Sequence, residues 1–201
     1  MDINNSPDYD VVTEKIRLYT LAAVKKSRYE HSLRVAETAQ ELCRKYGIDE
    51  KRGYLAGIGH DMCKDMSDEL LVSLALHDGQ RITPLEKKKP ALLHGRAAAV
   101  KMAEDFGIHD GEILQAVADH TFGAENMCDL AKIIYVADKI EPGRGYVTKD
   151  YEERLSKLSL DELVKIVLTD GISYLEKKGY TVAPESERLL ESLEKKDAHA
   201  R

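Results

Sequence analysis

Gly57-Ile58-Gly59-His60-Asp61-Met62-Cys63-Lys64 is the stretch from which the rest of this chain can be read. It puts an imidazole and a carboxylate in tandem at the end of an apolar helical run that includes Leu55, Ala56 and Ile58. Both groups are good ligands for a first-row metal ion, and a carboxylate on a packed helix is costly unless something positive meets it. A His-Asp dipeptide also arises by chance and describes a polar helix edge equally well, so the surrounding sequence has to decide. Gly57 and Gly59 are poor helix formers, and their presence here predicts that another backbone approaches closely.

Working outward, 201 residues suffice for one domain with a substantial core. Charged residues make up 33%, there are five prolines and no tryptophan, and Val/Ile/Thr runs are short, a composition that points to an all-α chain. A net charge of -6 argues against a protein that coats nucleic acid, while leaving room for a phosphate-bearing ligand in a pocket made locally positive. Cys43, Cys63 and Cys128 form no CxxC pair and suit a reducing cytosol, and with no signal pattern or long apolar span the expectation is a cytoplasmic protein that crosses no membrane.

Residues 1 to 8 are expected to be flexible, residues 9 to 195 to form one helical domain, and 196 to 201 to be a frayed charged tail. Apolar residues at three- and four-residue steps predict helices near 9–26, 28–46, 49–61 and 67–77, then a loop over 81–90 carrying two prolines and Lys87-Lys88-Lys89. That basic run is a solvated loop or a steering patch for an anion. Further helices are expected near 91–106, 110–120, 128–140, 160–178 and 184–195. The 128–140 helix is apolar on nearly every side yet carries Asp138 on the face of Ile134 and Tyr135, and a buried carboxylate without a partner costs several kcal/mol or takes up a proton. His31, His60, Asp61 and Asp138 therefore stand out as one set, because helical bundles build metal sites from side chains on facing helices.

The order His…His-Asp…Asp resembles the HD superfamily of metal-dependent phosphohydrolases. Tyr-Glu-His-Ser-Leu-Arg-Val-Ala-Glu-Thr-Ala (29–39), Leu-Ala-Gly-Ile-Gly-His-Asp-Met-Cys-Lys-Asp (55–65), Pro-Ala-Leu-Leu-His-Gly (90–95), His-Thr-Phe-Gly (120–123) and Lys-Ile-Ile-Tyr-Val-Ala-Asp-Lys-Ile-Glu-Pro-Gly-Arg (132–144) look like its YqeK branch, the symmetrically cleaving diadenosine tetraphosphate hydrolases. Gly59 and Phe122 depart from that pattern, at positions that touch packing and pocket shape.

The resemblance implies a single-domain all-α HD bundle in which His31, His60, Asp61 and Asp138 hold iron, as one or two ions, although two imidazoles and two carboxylates also suit other divalent transition metals. It implies nucleotide contacts at His31, Asp61, Lys64, His94, His120, Thr121, Asp138 and Arg144, with His60 and Asp61 catalytic. Lys64, three residues after Asp61, could meet a phosphate or serve as a helix-end cation. His94 and His120 could donate to phosphate or ligate a second metal, and Arg144 offers a planar fork matched to phosphate. The implied reaction is hydrolysis by metal-activated water, at a phosphorus beside the central bridging oxygen, to two nucleoside diphosphates. Another nucleotide substrate (a triphosphate, a cyclic nucleotide or a guanosine alarmone) and a non-catalytic regulatory module are the alternatives. The expected partner is a small nucleotide, with no nucleic acid and no membrane, and a homodimer is a possible assembly.

Overall fold

The computed structural model describes residues 9–199, apart from the side chains of Asp197 and His199. It is all-α: α1 (Tyr9–Ala23), α2 (Lys26–Tyr46), α3 (Glu50–Gly59), α4 (Asp68–Ala75), α5 (Pro84–Lys88), α6 (His94–Phe106), α7 (Gly111–Asp119), α8 (Asp129–Ile140), α9 (Lys149–Leu155), α10 (Leu160–Lys177) and α11 (Pro184–His199). No strand occurs among the described residues. The expected flexible segment 1–8 lies outside them. α11 continues as far as His199, into the segment expected to fray after residue 195, and residues 200–201 are outside the described part.

Local chemistry starts and stops these helices. Asp49, Ser67, Asp110 and Ser159 sit in extended conformation ahead of α3, α4, α7 and α10, and their side chains accept from backbone N–H groups of the first turn. Gly47 and Gly107 end α2 and α6 at φ of 73° and 67°, in the left-handed region that glycine adopts without strain.

Two helices depart from the reading of the sequence. The 81–90 segment is not all loop, because Thr83 and Glu86 form a capping box with Pro84 in the first helical turn and so start α5. α9 falls in a charged stretch that lacks an apolar stripe. It begins because Thr148 caps Tyr151 N–H, and it buries Leu155.

The core is one continuous apolar cluster centred on α8, whose residues Leu130, Ala131, Ile133, Ile134, Tyr135, Val136 and Ala137 are all buried. α2, α3, α7 and α10 pack around it. The α2/α3 crossing bears out the glycine expectation: a Cβ on Gly57 would lie 2.6 Å from Ala36 Cα, so the two backbones touch. At Gly59 the neighbour is the Met102 side chain, with Sδ at 3.0 Å, and not a backbone.

Gly57→Ala should therefore destabilise the protein although alanine is the better helix former. The propensity gain is about 1 kcal/mol and the overpacking cost roughly 1–3 kcal/mol, against a backbone that cannot step aside cheaply. A thermal melt followed by circular dichroism should show a lower midpoint, and an unchanged or higher one would mean that α2 and α3 can part without penalty.

Candidate metal and phosphate site

α2, the end of α3, α6, α7 and α8 bring their ends together around one cavity of about 470 Å³. His31 comes from the first half of α2, His60 and Asp61 from the turn that ends α3, His94 from the start of α6, His120 and Thr121 from the end of α7, and Asp138 from the last turn of α8. Eight of the nine sequence-predicted positions line this cavity, and the ninth, His60, lies wholly buried behind it.

The histidines form an edge-to-face row. Ring centroids are 5.3 Å apart for His31 and His60, 4.9 Å for His60 and His120, and 4.9 Å for His120 and His94. Three of these rings share one device, in which Nδ1 lies 2.6–2.7 Å from the carbonyl oxygen three residues earlier: Gly57 for His60, Ala91 for His94, Val117 for His120. A carbonyl only accepts, so each ring donates through Nδ1–H and turns a bare Nε2 towards the cavity.

His60 Nε2 has no hydrogen-bond partner, and the atoms it faces are Asp138 Oδ1 at 3.8 Å and Asp61 Oδ2 at 3.9 Å. A lone pair set against two carboxylates in a buried place is unfavourable until a cation joins them. Burial also drives the His60 ring down to about 3 and the His94 ring to about 4, so neither supplies that charge by protonation near neutrality. The donors present thus fit a metal ion.

Two groups of ligand atoms can be drawn. His31, His60 and Asp61 hold theirs within 4.8 Å of one another, and so do Asp61, His94 and His120. Asp138 Oδ1 joins the first group, 3.1 Å from His31 Nε2. In the second, His94 Nε2 is 3.0 Å from His120 Nε2 and 3.0 Å from Asp61 Oδ1, with Lys64 Nζ at 2.8 Å supplying a positive charge. Asp61 is common to both groups.

Burial opposes the charge on Asp61 and Asp138, yet their surroundings hold both carboxyls well below the usual carboxylate range. Around Asp61 these are the rings of His60, His120 and His94 and the Lys64 ammonium. Around Asp138 they are Lys139, His31 and the other rings. Arg144 donates to Asp138 Oδ1 at 2.7 Å and through two nitrogens to its backbone oxygen at 2.6 and 2.9 Å.

Three charged groups were not singled out from the sequence. Arg28 reaches Asp61 Oδ2 at 3.3 Å and Asp65 Oδ1 at 3.3 Å. Arg34 Nε donates to Glu141 Oε2 at 2.5 Å. Glu141 is only 2 % exposed and also meets His31 Nδ1 at 3.1 Å and Gly143 N–H at 2.5 Å, so it orients the His31 ring. The signal for Glu141 was its place three residues after Asp138, one helical turn on along the same face. Nothing in the local sequence marks Arg28 or Arg34.

Comparison with known proteins adds an independent finding. The HD domain family model matches residues 28–143. Halalkalibacterium halodurans has a protein named bis(5'-nucleosyl)-tetraphosphatase, symmetrical, that is 33% identical over 159 residues, covering 79% of this chain and 84% of the relative. A Staphylococcus aureus protein of the same name is 33% identical over 173 residues, covering 84% and 88%. A solved structure described as a predicted HD superfamily hydrolase involved in NAD metabolism, from Clostridium acetobutylicum, superposes with a TM-score of 0.84 at 29% identity, covering 94% of this chain and 98% of that one.

Proposed function

We infer the function from one premise, that the chain belongs to the HD domain family: it is a metal-dependent hydrolase that splits diadenosine tetraphosphate symmetrically into two molecules of ADP. The likeness to relatives named for that reaction supports the substrate. The observation that carries the metal-dependent chemistry is the unpartnered His60 Nε2, buried against the carboxylates of Asp61 and Asp138.

We assign His31, His60, Asp61 and Asp138 as ligands of iron, and Asp61, His94 and His120 as the donors for a second ion or for phosphate oxygens. A bound ion of this kind supplies Lewis acidity and brings the pKa of water towards neutrality. The chain's own groups do the rest. Arg28, Arg34, Lys64 and Arg144 line the cavity and meet the charge of the tetraphosphate, Arg144 with a planar fork suited to two phosphoryl oxygens. Thr121, whose hydroxyl is 3.5 Å from His94 Nε2, adds a neutral donor. Asp61 orients the water that attacks phosphorus beside the central bridging oxygen, and one nucleoside diphosphate departs with that oxygen while the other keeps the oxygen of water.

Among the described residues no helix is long and apolar enough to cross a membrane. The free thiols of Cys43, Cys63 and Cys128 suit a cytoplasmic setting. A homodimer would bury the exposed Val11, Leu18 and Leu21 of α1.

Chromatography of the products tests the substrate. Purified protein given diadenosine tetraphosphate should release ADP alone, with metal analysis of the same preparation returning iron. AMP together with ATP, or no turnover beside rapid hydrolysis of another nucleotide, would refute the assignment.

A further inference from the structure

The site described above makes no use of the basic run Lys87-Lys88-Lys89. In the structure this run closes α5 and passes into the 3₁₀ turn Pro90–Leu93, which leads directly to His94. At about 2 Å of rise per residue, that turn leaves the Lys89 backbone on the order of 10 Å from His94. All three lysines are exposed, and among the described residues no ion pair holds any of them. The acid of α5, Glu86, is buried and taken up by Arg96, whose Nη1 lies 3.1 and 3.2 Å from its two carboxylate oxygens, so the outward side of α5 is wholly positive.

Helical geometry decides which way these charges look. Successive residues of α5 are turned by about 100°, so Lys88 and Lys89 flank Leu85 while Lys87 falls nearly opposite it. Leu85 and Lys89 both line a largely apolar cavity of about 320 Å³ between α10 and the 121–122 turn, and Thr121 lines that cavity and the charged one together. Lys89 Nζ stands 5.2 Å from the centre of the Tyr180 ring, at the same cavity. Lys88 and Lys89 therefore lie on the side of α5 that looks towards the metal and phosphate site.

The fold itself does not ask for three lysines here. The dipole of a short helix favours a cation at its end, but adjacent ammoniums repel one another. Their long-range field gives them a use. The chain carries a net charge of -6, yet the charged cavity is lined by more Arg and Lys than Asp and Glu, so the excess of acid lies on the rest of the surface and repels a polyanion there. A positive strip beside the cavity opens a direction of approach in which that repulsion is reversed.

We propose that Lys88 and Lys89, with Lys87 behind them, are a steering surface that draws the polyphosphate of the substrate into the charged cavity from the α5 side. This rests on the dinucleoside tetraphosphatase reading above. The lysines act before the chemical step, so they set how readily the substrate is captured and leave the rate of bond cleavage alone. Because the attraction scales with the product of the charges, the surface favours substrates with more phosphates over those with fewer.

Salt separates steering from direct contact. At an ionic strength of about 10 mM, where fields reach roughly 30 Å, the double variant Lys88→Gln/Lys89→Gln should lower kcat/KM for diadenosine tetraphosphate about three- to tenfold with kcat unchanged. At about 1 M, where the reach is roughly 3 Å, double variant and wild type should agree within about 1.5-fold. Lys45→Gln removes the same charge from an exposed position about 21 Å along α2 from His31, and it should lower kcat/KM by less than about twofold at either salt. The substituted side chains are exposed, so the variants should keep the wild-type melting midpoint. Should the double variant not fold, Lys88→Gln alone carries the test, with about half the effect on a logarithmic scale.

A loss that persists undiminished at high salt would mark a short-range contact or a packing role, and the absence of a loss at low salt would mark a solvated loop. Either result overturns the steering surface and leaves the hydrolase reading intact. A loss in Lys45→Gln equal to that of the double variant would assign the effect to net charge alone and overturn it as well. Wild-type protein that turns the substrate over at neither salt defeats the hydrolase reading, and this proposal with it.

Discussion

Asp61→Asn should lower kcat for diadenosine tetraphosphate by at least about a thousandfold and strip metal from the purified protein, while leaving a folded, cooperatively melting chain. The size of the effect follows from geometry. Asp61 contributes to both groups of ligand atoms, with His31 and His60 on one side and with His94 and His120 on the other. Replacing one carboxylate oxygen by an amide removes a negative charge from both at once. Each of the other proposed ligands belongs to one group, so His94→Ala should be milder than Asp61→Asn in metal content. The fold should survive because Asp61 is almost isosteric with asparagine, and because the apolar cluster around α8 does not include it. Metal analysis and single-turnover product assays on the two variants check this. An Asp61→Asn protein that keeps full metal and measurable turnover would refute the site as assigned.

Glu141→Ala should reduce metal affinity and activity by about 10- to 100-fold, the range expected when the group that orients a metal-ligating imidazole is removed. Glu141 is not itself a proposed ligand of metal or phosphate, but its Oε1 faces His31 Nδ1 at 3.1 Å and its Oε2 takes the Nε of Arg34, one of the cations proposed to meet the phosphates, at 2.5 Å. With alanine, the His31 ring loses the acceptor that holds Nδ1–H, and Arg34 is freed to swing. Burial opposes the charge on Glu141, while Arg34, His31 and the Gly143 N–H keep its carboxyl below the usual range. The group is therefore an anion near neutrality and a constant acceptor. Glu141→Gln retains one acceptor oxygen and should recover part of the loss. Competition with a chelator, scored as the rate of metal release, reads the effect apart from turnover. A release rate equal to wild type in Glu141→Ala would show that His31 needs no such support.

Two of the readings show where sequence patterns reach their limit. The long helices were legible because their apolar residues repeat at helical spacing and their ends carry caps: Asp49, Ser67, Asp110, Gly47 and Gly107 each terminate an element within a residue or two of the expected place. α5 was missed because prolines and lysines outvoted a four-residue capping box, and α9 because its start depends on one threonine and its packing on one leucine. In the site, His31, His60, Asp61 and Asp138 could be gathered from their positions on inward faces of separate helices. Arg28 and Arg34 could not, since an arginine on α2 looks the same whether it meets solvent or a carboxylate on another helix.

What the sequence by itself determined is whatever depends on neighbours within a turn or two of helix: the helical class, most element boundaries, a close backbone approach at Gly57, and a set of imidazoles and carboxylates too costly to bury without a cation. Only the tertiary structure decided which atoms of those groups face one another. The ring tautomers of His60, His94 and His120 come from carbonyls three residues back, but the direction in which each bare Nε2 points is set by how α3 and α7 pack against α8 and how α6 packs against α7. The support of His31 by Glu141 and the apolar cavity beside the charged one are likewise products of packing between elements more than a hundred residues apart in one case and of α10 against the 120–122 turn in the other. Helix crossing is a property of whole faces meeting, summed over many weak contacts, and no short stretch of letters contains it.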